Sequence, residues 1–167
     1  MMSKPWIAVS AALLLAAPGA HAGVGQGDIE AGASISLTNS EQTVAGTTTK
    51  SDFGTVNVSG GYFFSDMIEF KLALNMSVST DITTGTINPG ADFVFAGDGT
   101  LVPFAGASYG LAVGDLDDTD FLEFHGGIKY FFRENTSLEV KLARFEPMDS
   151  DFDVGHTDLS AGFNVYF

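Results

Sequence analysis

The chain has 167 residues, with 7 Lys and Arg against 21 Asp and Glu, a formal net charge of −14, and no cysteine. Such a surface repels nucleic-acid phosphates and favours divalent cations or basic partners, and the missing cysteine excludes a disulfide-held or lipid-modified exported domain. Twenty Gly and fifteen Phe within 45% hydrophobic residues make the chain too apolar for disorder.

The first residues read as an export signal. In "MMSKPWIAVSAALLLAAPGAHAG" a basic start at Lys4 is followed by an apolar run from Ile7 to Ala17 and a small-residue exit, Ala20-His21-Ala22. About ten apolar residues are too few to span a bilayer, which needs roughly 20, so cleavage after Ala22 is expected. Residues 23–167 then form one domain, with six Lys and Arg against 21 Asp and Glu. It has no apolar run long enough for a membrane helix.

Strands follow at regular spacing, each with period-two alternation. The first, "DIEAGASISL", sets Ile29, Ala31, Ala33, Ile35 and Leu37 against Asp28, Glu30, Gly32, Ser34 and Ser36. The second, "TVNVSGGYFF", sets Val56, Val58, Gly60, Tyr62 and Phe64 against Thr55, Asn57, Ser59 and Gly61. The third, "IEFKLALNMSV", sets Ile68, Phe70, Leu72, Leu74, Met76 and Val78 against Glu69, Lys71, Ala73, Asn75 and Ser77. Further strands are expected at 87–95, 101–113, 121–132, 137–146 and 156–167. Pro89 lacks a ladder donor, which places it near a strand start or at a bulge. Small residues leave the faces of the fifth strand, "LVPFAGASYGLAV", undetermined.

The connections alternate in kind. "SDM", "AGDGT" and "RENT" follow the second, fourth and sixth strands as tight turns. The longer polar stretches "TNSEQTVAGTTTKSD", "STDITTG", "GDLDDTD" and "EPMDSDFDVG" follow the others. Short connections at one end and long ones at the other predict an all-β, eight-stranded, antiparallel up-and-down transmembrane barrel, with short periplasmic turns and longer outer loops. "YFFSDMIEFKLAL" and "YFFRENTSLEVKLAR" form an internal repeat, and every even strand ends in aromatics. Tyr62, Phe64, Phe93, Phe95, Tyr130, Phe132 and Phe167 are therefore expected to form a periplasmic aromatic girdle.

In "LEVKLAR", Leu138, Val140 and Leu142 share one face, opposite Glu139 and Lys141. If the apolar face meets lipid, Glu30, Glu69, Lys71, Glu123, His125, Lys129, Glu139 and Lys141 all point into the barrel. Eight strands enclose side chains rather than an aqueous pore, so these charges should pair across strands, Lys129 with Glu139 directly or one diagonal away.

The signal, the eight strands, the "YFFSDM" type of turn and the ending "LSAGFNVYF" resemble the small OmpA-like and OmpX-like outer-membrane β-barrels of Gram-negative bacteria. The resemblance implies an assembly signal at Phe163, Val165 and Phe167, read by the barrel assembly machinery, and partners in outer-membrane lipid and lipopolysaccharide. It also implies a monomer without a cofactor and, with nothing after the eighth strand, without a peptidoglycan-binding domain. The expected role is structural or surface-directed. A narrow porin-like channel and a lipid A acyl hydrolase are the alternatives.

Three groups of residues could carry chemistry. His125 and His156, with Asp158 and Ser160 nearby, suggest a Ser/His/acid arrangement. In the outer-membrane lipid A deacylases a Ser stands two residues after the catalytic His, whereas here Gly127 and Asp158 hold those positions. Asp115, Asp117, Asp118 and Asp120, with Asp149, Asp151 and Asp153, are candidate oxygen ligands for Ca²⁺, but they lack the Gly and distant Glu of an EF-hand loop. Arg144 faces outward at the top of the seventh strand, where it could meet lipopolysaccharide phosphates.

Overall fold

The computed structural model describes residues 24–44, 47–78, 83–95, 99–114, 120–148 and 156–167. The expected signal segment, residues 1–22, lies outside them. The strands are β1 (Ile29–Val44), β2 (Thr47–Ser65), β3 (Ile68–Val78), β4 (Thr83–Val94), β5 (Leu101–Gly114), β6 (Phe121–Arg133), β7 (Thr136–Pro147) and β8 (His156–Tyr166). Each is antiparallel to the next, and β8 pairs with β1 to close the sheet into an eight-stranded barrel. Closure removes the sheet edges that an open eight-stranded sheet would leave unpaired.

The alternation sorts the side chains between the two faces. Ile35, Leu37, Val56, Val58, Leu72, Leu74, Leu138 and Leu142 stand exposed on the outer wall. Glu30, Glu69, Asp92, Glu123, Lys129 and Glu139 are buried inside. In β5, Val102, Phe104, Gly106 and Ser108 alternate inward, which settles the faces of that strand.

Three expectations fail in detail. The first polar stretch is largely strand: β1 and β2 stay paired out to Val44 with Thr47, joined by 45–46 alone, while 95–100 join β4 to β5. Connection length therefore does not sort by end as expected, because the β-branched residues Thr43, Val44 and Thr47–Thr49 extend the ladder. This hairpin rises past its neighbours, since β1–β8 pairing ends at Asn39 with Thr157 and β2–β3 pairing at Thr55 with Ser77. Second, β4 starts at Thr83, ahead of position 87, again on Thr residues. Third, Pro89 sits mid-strand, opposite Leu72 of β3. On its other side the β4–β5 pairing skips Asn88 and Pro89 and resumes at Gly90 with Ser108 without a change of register. The missing N–H interrupts one ladder only.

The internal repeat is also a structural one. Register shifts occur between Phe63 and Ser65 and between Phe131 and Arg133, at equivalent points beside the two turns. Beyond them Phe63 faces Glu69 and Phe131 faces Ser137. The two additional residues in "RENTSLEVK" keep the parity and lift Glu139 one inward position higher than Glu69. One repeated motif thus supplies carboxylates at two levels of the lumen.

Candidate functional site

The barrel interior is the one place where chemistry-bearing side chains gather among the described residues. Long charged side chains fit there because inward positions around them are glycine. A Cβ on Gly61 would collide with Glu69 Oε1, and one on Gly106 would collide with Asp92 Oδ1 and lie 2.6 Å from His125 Nε2 and from the Ala91 carbonyl. Gly106→Ala is therefore expected to lower the unfolding midpoint in urea by the equivalent of about 1–3 kcal/mol, the range for overpacking. A wild-type midpoint would mean that the His125–Asp92 contact can move aside freely.

The charges form one connected network. Lys129 Nζ donates to Glu30 Oε2 at 2.5 Å and to Glu69 Oε2 at 3.0 Å. It also lies 5.4–5.7 Å from the ring centres of Phe63, Phe104 and Tyr166. Two carboxylates and three aromatic faces replace its water. Lys71 Nζ stands 3.0 Å from Glu30 Oε1, 3.4 Å from Asp92 Oδ2 and 3.6 Å from Glu139 Oε2. His125 lies between two acids, Nε2 2.6 Å from Asp92 Oδ1 and Nδ1 3.0 Å from Glu123 Oε1. Lys141 Nζ donates to Glu123 Oε1 at 2.9 Å, Ser108 Oγ to Glu123 Oε2 at 3.1 Å, and Asn164 Nδ2 to Glu139 Oε2 at 3.1 Å.

The eight residues assigned inward by parity all point inward, but they pair differently from expectation. Lys129 and Glu139 are directly opposite in the β6–β7 ladder, yet the Lys129 ammonium reaches across the lumen to β1 and β3. A lysine stem spans most of a narrow lumen, so the nearest carboxylates in space win over the nearest in register. Asp92, Asn88, Ser108 and Asn164 were not anticipated in the network. The signal for Asp92 was present: outward Phe93 and Phe95 place Asp92 and Val94 inward by alternation, although Pro89 and Gly90 break the apolar pattern before them.

An apolar floor closes the turn end. Phe63, Val94, Val102, Phe104, Phe131 and Tyr166 pack as one buried cluster with Val24 against it. Gly27 N–H donates to the Phe63 carbonyl and holds the incoming segment across this end. The aromatics expected in the girdle, Tyr62, Phe64, Phe93, Phe95, Tyr130, Phe132 and Phe167, line the outer wall at this end, while Phe63, Phe131 and Tyr166 between or beside them turn inside. Alternation forces the split, because consecutive aromatics cannot share a face. Phe163 and Val165 lie on the outer face with Phe167, and Phe163 packs 5.9 Å from Phe132.

Toward the loop end, Phe145 stacks on His156 at 4.4 Å and meets Phe121 edge-on. Arg144 is outward and half exposed, with Nε donating to Glu146 Oε1 at 2.7 Å. Of the acidic residues, Asp120 accepts from the Tyr109 hydroxyl at 2.5 Å; Asp115, Asp117, Asp118, Asp149, Asp151 and Asp153 lie outside the described residues.

Between floor and rim is a cavity of about 30 Å³, lined by Lys71, Asn88, Asp92, Ser108, Glu123 and His125 among others. Ser108, Glu123 and His125 resemble a triad in composition only. The acid stands between hydroxyl and imidazole, and both ring nitrogens face carboxylates, so neither can take the Ser108 proton.

No family model and no curated protein matches the chain. Solved structures do. The N-terminal β-barrel domain of Pseudomonas aeruginosa OprF is 18% identical, covering 86% of this chain and 100% of that one, with a TM-score of 0.66. Neisserial surface protein A is 17% identical over 86% and 99%, with a TM-score of 0.66. Ail, the attachment invasion locus protein of Yersinia pestis, is 10% identical over 85% and 99%, with a TM-score of 0.61. The chain shares the fold of the small eight-stranded outer-membrane β-barrels.

Proposed function

We propose that the protein is a non-enzymatic integral outer-membrane barrel, exported by a cleaved signal, whose closed lumen carries no solute and whose loop end is its working surface. The observation that carries this reading is the inverted distribution of polarity. Leu37, Leu72, Leu74, Phe124, Leu142 and their neighbours are exposed all round the wall, whereas the ion pairs are inside. A water-soluble protein rarely exposes a contiguous apolar patch beyond a few hundred Å², while a lipid-facing wall requires one. Every strand has at least the roughly 9–11 residues needed to cross a bilayer. Two of the similar structures are named for the cell surface or for attachment, which accords with a surface role.

In this reading Phe163, Val165 and Phe167 face the assembly machinery, the outward aromatics sit at the periplasmic interface, and the acidic loops meet cations or lipopolysaccharide. Glu146 already occupies Arg144 and would have to yield for a phosphate to bind there. The apolar floor argues against conduction.

The test combines topology and conductance. On whole cells an impermeant thiol reagent should label a cysteine at Thr47 and leave one at Asn135 unlabelled, and the refolded protein should give no conductance steps in planar bilayers. Labelling at Asn135 would invert the topology. Sustained steps would replace the closed lumen with the narrow-channel reading.

A further inference from the structure

The interior charges do not balance. Among the described residues, the connected network holds the carboxyl groups of Glu30, Glu69, Asp92, Glu123 and Glu139 against the ammoniums of Lys71, Lys129 and Lys141 and the His125 ring. A neutral ring would set a lone pair against one of its two flanking carboxylates, so the geometry fits the imidazolium. Even then one negative charge is left over if every acid is ionised. Asp158 stands apart from this count, 4.0 Å from His156 at the rim.

The contacts show where the excess falls. Glu123 meets Lys141 and His125, and Asp92 meets His125 and Lys71. Glu139 has Lys71 and the Asn164 amide, and Glu30 has both Lys71 and Lys129. Glu69 has Lys129 alone, 3.0 Å from Oε2, and shares it with Glu30, which holds the same ammonium at 2.5 Å. Glu69 is fully buried, and its Oε1, set against Gly61, has no hydrogen-bond partner. The strands around it supply no further cation. Lys71, two positions along β3, is turned to Glu30, Asp92 and Glu139. β4 places Asp92 directly opposite, β2 presents Gly61 and Phe63, β5 presents Phe104, β7 Glu139 and β8 Tyr166. In such a place an ionised carboxylate costs far more than a neutral carboxyl that lacks one hydrogen bond.

We propose that Glu69 is a proton-binding site of the folded barrel: its carboxyl is neutral at neutral pH, with the proton on Oε1, and Glu30 alone forms the ion pair with Lys129. One proton brings the network to zero charge. Closing the barrel is then a proton-uptake step. The unfolded chain leaves Glu69 ionised above about pH 4.3, so from there to neutrality the folded state holds one proton more at this site. Stability contributed here therefore falls as the pH rises, the opposite of what an ion-paired carboxylate gives. The His125 imidazolium adds a second such proton only above about pH 6.5, where histidine in the unfolded chain becomes neutral.

The experiment is urea unfolding of the full chain, folded in detergent micelles, at about pH 5.5 and about pH 8. Glu69→Gln, which copies the neutral carboxyl, should unfold at a higher urea concentration than wild type, by a margin that widens as the pH rises. Glu30→Gln should unfold at a lower concentration at both pH values, because it removes the ion pair with Lys129. If Glu69→Gln fails to fold, proton uptake on folding at about pH 5.5 reads the same site, since histidine is mostly charged in the unfolded chain there. That uptake is measured on Asp158→Asn, which silences the other buried acid with an unpartnered oxygen outside the network. Uptake of about one proton per chain supports the proposal, and no uptake overturns it. A midpoint for Glu69→Gln at or below wild type at the higher pH overturns it, as does a gain that does not change with pH. A gain in Glu30→Gln does so too, by placing the proton on Glu30.

Discussion

Val140→Glu should nearly eliminate the folded, heat-modifiable form of the protein in lipid vesicles. Val140 is 39% exposed on the outer wall, between Ile128 of β6 and Ala161 of β8. A carboxylate there lies within the apolar belt with no inward partner, and a charge in hydrocarbon costs on the order of 3 kcal/mol. Val140→Ala, which removes volume without adding charge, should remain folded and separates the two effects. Wild-type folding of Val140→Glu would mean that this wall does not face lipid.

Lys129→Leu should be the most damaging change inside the lumen. Lys129 is 1% exposed, and its removal leaves Glu30 and Glu69, both fully buried, without the cation they share. Breaking a buried pair in this way typically costs about 3–5 kcal/mol, while replacing both members can be nearly neutral. A double-mutant cycle in urea should accordingly find strong coupling between Lys129→Leu and Glu30→Leu. Coupling between Lys129→Leu and Glu139→Leu should be much weaker, because Glu139 is engaged by Asn164 and Lys71. The reverse ranking would show that ladder neighbours, rather than groups meeting across the lumen, hold the interior together.

These two expectations differ in how far the sequence alone supports them. The placement of Val140 follows from its alternation with Glu139 and Lys141, a property of any extended strand. The partners of Lys129 do not. The pairing opposite Glu139 was legible from the "RENT" turn, and the register is the one observed, but register fixes Cα positions and not where a flexible ammonium ends. The same limit applies at the floor, where alternation already separates the wall aromatics from Phe63, Phe131 and Tyr166, but only the closed barrel brings those three together with Val94, Val102 and Phe104.

The sequence by itself determined the strand count, the inward or outward side of residues in the strands with clear alternation, and the internal repeat, because all three are written in local periodicity and turn chemistry, whereas the faces of β5 waited for the structure. Only the tertiary structure decided which inward groups meet. Closing β8 onto β1 brings Glu30 to Lys129, 99 positions away, and sets Asp92 against His125. Inward glycines such as Gly61 and Gly106 leave the room those side chains fill. Such contacts depend on barrel closure and the width of the lumen, neither of which any single stretch of chain encodes.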